Sequence, residues 1–113
     1  RQMLRLDIEV DTIIRIKDQT FETRTKTLGE GGLLVQIDHP AMHTGSQVEI
    51  SLLLSPSATP LELTGEVIYL LGPTATCSAR DVGIKFSDIS KKSSERLRNF
   101  IEQAASGEAG STL

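Results

Sequence analysis

Arg1 and Arg5 stand four residues apart in the run Arg1-Gln2-Met3-Leu4-Arg5. A guanidinium donates in a planar fork to phosphate oxygens and also stacks on aromatic faces, so such a pair suits a ligand carrying both phosphates and purines. Taken alone, the same spacing is what solvated surface charge produces. A second cluster is Thr27-Leu28-Gly29-Glu30-Gly31-Gly32, where three glycines fall within four residues. Glycines permit positive φ and let consecutive backbone N–H groups turn toward an anion. The plainer reading of the same residues is a tight turn. No Lys-Ser/Thr follows, and the next segment has the pattern of a strand, so neither a P-loop nor a dinucleotide fingerprint is present.

The other reactive side chains offer less. His39 and His43 bracket an HPAMH run, but Pro40 opposes a helix that would bring them together, and no carboxylate or Cys cluster completes a metal site. Cys77 is the single cysteine, without the spaced partners of a structural zinc site. Two histidines in one connection and no serine in a nucleophile-elbow context give no catalytic triad. The residues therefore point to a binding protein that is not an enzyme and that needs no cofactor.

These candidates must be held by short β-strands. Leu4, Leu6, Ile8 and Val10 alternate with Arg5, Asp7 and Glu9 at the period of a half-buried strand, and the polar pair Asp11-Thr12 predicts a bulge or bend before Ile14 and Ile16. Phe21, Thr23 and Thr25 continue as a second strand, and residues 33–37 and 48–54 are further apolar β-rich runs. Leu61, Leu63, Gly65, Val67 and Tyr69 then share one face of a long strand, with Gly65 marking a bend. Residues 82–86 form a short strand. From Ser90 the period becomes helical: Leu97, Phe100, Ile101 and Ala104 line one side. Phe21, Phe86 and Phe100 are expected in the core. Six or so short strands and one amphipathic helix predict a closed or nearly closed barrel plugged by that helix. The domain is expected to span residues 1–105, with the Gly/Ser-rich residues 106–113 as a flexible tail or linker.

The chain has 113 residues, 38% hydrophobic and 24% charged, which is enough apolar content to fold as one domain. Its net charge of −3 is unevenly spread. Arg1, Arg5, Arg15, Lys17, Arg24 and Lys26 lie in the first 26 residues, whereas residues 27–90 hold only Arg80 and Lys85 against seven acids. This arrangement allows a local anion site and opposes a general surface for nucleic-acid polymers, as does the scarcity of aromatic residues. No apolar run approaches the ~20 residues that span a bilayer. Membrane insertion is therefore not expected, and the simplest location is cytoplasmic.

In order and spacing, RxxxR, the first strand pair, Gly31-Gly32-Leu33-Leu34-Val35, Gly45-Ser46-Gln47-Val48, Leu63-Thr64-Gly65-Glu66-Val67 and Val82-Gly83-Ile84-Lys85-Phe86 resemble the PilZ domain family. The resemblance covers nearly the whole chain. It implies a mainly β fold, a six-stranded antiparallel β-barrel with a C-terminal α-helix, and binding of the bacterial second messenger cyclic di-GMP. In such domains RxxxR and D/N-x-S-x-x-G clasp the ligand. Arg1 and Arg5 match the first motif in full. Alignment on Gly32 places Thr27 at the Asp/Asn position and Gly29 at the Ser position, so only the final glycine of the second motif is kept. The implied ligand site is thus Arg1, Arg5, Thr27, Gly29 and Gly32. Three readings follow: a cyclic di-GMP module that changes its contacts with a fused domain or partner protein, a degenerate domain acting as a protein-interaction adaptor, and a generic oligomerising barrel.

Overall fold

The structure is a computed structural model that describes residues 5–37, 43–54, 59–72 and 79–111, with side chains for 6–37, 43–54, 59–72 and 79–105. Among the described residues, seven strands precede one helix: β1 (Arg5–Leu6), β2 (Asp11–Ile16), β3 (Gln19–Gly29), β4 (Gly32–Ile37), β5 (Gln47–Leu53), β6 (Leu61–Leu71), β7 (Arg80–Ser87) and α1 (Lys91–Ser111). All pairings are antiparallel, and the order β3-β2-β5-β6-β7-β4 closes on itself through β3–β4. The result is the expected six-stranded barrel with a C-terminal helix. β1 adds no seventh stave, because it pairs with the far end of β3 in line with β2.

Closure follows from alternation. Ile14, Ile16, Val35, Ile50, Leu52, Leu63, Val67, Val82, Ile84 and Phe86 all point inward and are buried. The helix supplies Leu97 and Ile101, both fully buried, and its packing against β1, β3 and β6 caps the barrel. Phe21 and Phe100 pack against this core while staying partly exposed. Ser90 caps α1: its hydroxyl accepts the Ser93 N–H at 3.1 Å and its carbonyl the Ser94 N–H at 2.8 Å. Helical backbone continues to Ser111, past the boundary at residue 105 that composition suggested.

Three irregularities reshape the simple pattern. The break in the first strand falls at residues 7–10 rather than at Asp11-Thr12, because Leu6 pairs with Leu28 while Asp11 pairs with Arg24, leaving four residues facing three. Buried Thr25 clamps this excursion. Its hydroxyl donates to the Ile8 carbonyl at 2.6 Å and accepts the Val10 N–H at 2.9 Å, and its own N–H donates to the Val10 carbonyl at 3.0 Å. Thr12, which marks a break when read as a polar interruption, is instead buried inside β2 with its hydroxyl bonded to the Val10 carbonyl at 2.7 Å.

The second irregularity lies in β3, where the register against β4 shifts between Thr25 and Thr27. The third lies in β6, where the register against β7 shifts between Val67 and Tyr69. An inserted residue reverses the in–out phase of everything after it. Tyr69, expected to share the face of Val67, is therefore turned outward, and Leu70 points in instead. The bulge at Lys26 does the same for Thr27, which would otherwise follow Thr25 into the core.

Candidate functional site

The two sequence clusters meet at one end of the barrel. β1 lays Arg5 opposite Gly29 and Leu6 opposite Leu28, so the last residue of the RxxxR run is backbone-paired to the glycine-rich segment. Arg1 lies outside the described residues. Thr27 and Gly29 are not loop residues as expected: Leu28 pairs with Leu33 and both are buried, which extends β3 through Gly29 and confines the turn to Glu30-Gly31. Nor does this segment hold the left-handed glycines of the described residues, which are Gly45 and Gly72, each with φ of 92°.

The turn is fixed from two directions. The Phe86 N–H donates to the Gly31 carbonyl at 2.9 Å, tying it to β7. Arg98 of α1 reaches the Glu30 carboxylate at 3.4 Å, and the Glu30 side chain is only 14% exposed. Gly32 sits opposite Lys85, so close to β7 that a Cβ there would lie 2.3 Å from the Ile84 carbonyl oxygen. A glycine is thus required at position 32 by strand packing alone.

Thr27 opens onto the outer surface. Its hydroxyl donates to the Asp7 carboxylate at 3.2 Å, across a sequence separation of 20 residues. In the sequence Asp7 reads only as a solvent-facing position of the first strand, and no spacing rule relates it to Thr27. The nearest signal is its place two residues after Arg5. From Thr27 an outer row runs through Leu34 and Gly83 to Tyr69. The Tyr69 ring lies over Gly83, where an added Cβ would fall 2.4 Å from the ring. Both ends of the row face outward because of the two bulges.

Charge around this face is largely committed. Lys26 bonds both oxygens of Asp81 at 3.1 and 3.2 Å, and Arg24 pairs with Asp11 at 2.9 Å and Glu9 at 3.5 Å. A separate cleft of about 320 Å³ lies beside β2, β5 and β6 and the residues that lead into α1, lined by Arg15, Glu49, Glu62 and Asp88 among others. There the Glu49 and Glu62 carboxylates raise the Arg15 guanidinium above its already high range. Arg15 also donates to the Ser51 hydroxyl at 3.2 Å, so it is held by its own neighbours. His43 is exposed, whereas His39, Pro40 and Cys77 lie outside the described residues. Among the described residues no group of His, Cys, Asp and Glu side chains is placed to hold a metal ion, and no helix is long and apolar enough to cross a membrane.

The model of the PilZ domain matches residues 1–103. The chain belongs to the PilZ domain family. Solved structures share its fold. The inhibitor of motility MotI/DgrA of Bacillus subtilis superposes with a TM-score of 0.79 at 18% identity, over 95% of this chain and 52% of that one. The PilZ domain of YcgR from Escherichia coli, solved with c-di-GMP, gives 0.75 at 13% identity over 97% of both chains. MrkH of K. pneumonia, in a c-di-GMP complex, gives 0.76 at 12% identity over all of this chain and 55% of its own. The chain therefore spans about half the length of two of these three proteins. No curated protein matches it by sequence. In this PilZ domain the β1–β3 pairing brings Arg5 beside the glycine-rich segment.

Proposed function

We propose that this PilZ domain is a receptor module for cyclic di-GMP, acting by binding rather than turnover. The observation that carries the reading is the pairing of Arg5 with Gly29, which joins the RxxxR run to the glycine-rich turn. Arg1 and Arg5 grip phosphates and stack on guanine, while Thr27, Gly29 and Gly32 border the ligand chiefly through backbone. The capture of c-di-GMP by YcgR and MrkH, which have this fold, supports the assignment. Binding re-aims an attached domain or partner, so the output is a changed contact surface in the bacterial cytoplasm.

A second reading, a PilZ adaptor that has lost the nucleotide, is favoured by one observation. The Thr27 hydroxyl already donates its proton to Asp7, and Gly29 has no side chain to donate. Isothermal titration with cyclic di-GMP at low and moderate salt decides between them. The receptor reading expects saturable binding that weakens as salt rises, since the arginine contacts are ionic. Silence up to high ligand concentration selects the adaptor.

A further inference from the structure

We infer that Asp7 reads the guanine base in this domain, supplying from the β1 side the carboxylate that position 27 lacks. The inference rests on the cyclic di-GMP reading above. Asp7 is exposed and lies two residues beyond Arg5, and its Oδ1 accepts the Thr27 hydroxyl at 3.2 Å. Its carboxylate therefore sits beside the β3 position that would otherwise carry one. The bulge at Lys26 turns Thr27 outward, and the Thr25 clamp fixes the backbone on the other side of Asp7 through Ile8 and Val10.

The chemistry of the base makes this carboxylate selective. The Watson–Crick edge of guanine presents N1–H and N2–H as adjacent donors, whereas adenine presents an acceptor beside its donor amine. An ionised carboxylate only accepts, with lone pairs to spare after one bond to a hydroxyl. It complements guanine and opposes adenine. The phosphates remain with the arginines, so Asp7 sets base choice while Arg1 and Arg5 set most of the attraction. The geometry also explains the residue at 27. An aspartate there would stand against Asp7 at contact distance, where like charges disfavour one another. A threonine instead donates to Asp7 and steadies it. A carboxylate stands at position 7 or at position 27, not at both.

The test is titration of the whole chain with cyclic di-GMP and cyclic di-AMP, with thermal unfolding of each variant alongside. Asp7→Ala is expected to weaken cyclic di-GMP by about 10- to 100-fold, the range for a charged hydrogen bond, and to narrow the preference over cyclic di-AMP. Thr27→Val keeps the carboxylate and removes its hydroxyl partner, so it costs less than Asp7→Ala. The exchange Asp7→Thr with Thr27→Asp moves the carboxylate to β3 and recovers most of the affinity, whereas Thr27→Asp alone binds more weakly than the exchange. The assignment of Asp7 is overturned if wild type binds and Asp7→Ala stays within about twofold of it, loses both nucleotides equally, or matches Thr27→Val. If wild type itself shows no saturable binding, the receptor reading fails and the assignment falls with it.

Discussion

Replacing Thr25 by valine tests whether a single buried hydroxyl holds the excursion at residues 7–10. The side chain is 1% exposed and nearly isosteric with valine, so the change removes two hydrogen bonds, at 2.6 and 2.9 Å, with little change in volume. A buried donor or acceptor left without a partner costs about 1 to 3 kcal/mol. Val10 is buried, so its N–H bears the full penalty. Ile8 is half-buried, so its carbonyl recovers part of its bonding from water. The expected loss is about 2 to 3 kcal/mol, a large share of the roughly 5 to 15 kcal/mol that stabilises a domain. Urea unfolding should show a lower midpoint at an unchanged slope. Thr25→Ser keeps both bonds and loses one methyl, about 1 kcal/mol. A valine variant within about 0.5 kcal/mol of wild type, or a serine variant less stable than the valine one, would refute the clamp. Because Asp7 and Arg5 lie just upstream, Thr25→Val should also weaken any nucleotide binding.

Arg5→Ala is expected to abolish titratable cyclic di-GMP binding with little change in melting temperature; a large loss of stability at unchanged affinity argues against its role. Gly32→Ala forces a methyl to 2.3 Å from the Ile84 carbonyl oxygen, so β4 and β7 must separate. The expected loss is about 3 kcal/mol or more in denaturant unfolding, whether or not ligand is present. Lys17 holds a left-handed φ of 55° in the turn between β2 and β3, and Lys17→Gly should stabilise the domain by about 0.5 to 1 kcal/mol, read as a higher melting temperature. Arg15→Gln, in the cleft beside β2, β5 and β6, should leave cyclic di-GMP affinity within about twofold if the site lies at the β1–β3 pairing.

Periodicity carried most of the fold. From Leu61 to Val67 the alternation is regular, and every inward position of that stretch is buried, including Gly65. Leu97 and Ile101 mark the buried side of the helix just as plainly. What alternation could not convey is where it slips. Nothing in the residue types at Lys26 or Ile68 distinguishes a bulge from an ordinary outward position, so the outward turn of Thr27 and Tyr69 needs the register of the neighbouring strands. Thr12 misleads in the other direction, since a threonine that bonds a local carbonyl can be buried within a strand without breaking it. The glycine cluster resembles a loop in composition, yet pairing of Leu28 with Leu33 draws most of it into the sheet. The two clusters on which the proposed site rests, RxxxR and the run ending at Gly32, are visible as residue types and spacing. Asp7 was not, because its relation to Thr27 is made by tertiary pairing alone.

Tyr69 gives the domain a built-in optical reporter. The chain has one tyrosine and no tryptophan, so its ultraviolet emission, excited at wavelengths too long for phenylalanine to absorb, arises from a single ring. That ring is 37% exposed, stands over Gly83, and shares its row of the sheet with Thr27. Emission therefore samples the outer face beside the motif regions, rather than averaging over the molecule. A purine arriving on that face should quench it, whereas an event in the Arg15 cleft should leave it undisturbed, so label-free spectroscopy can tell which side of the barrel responds.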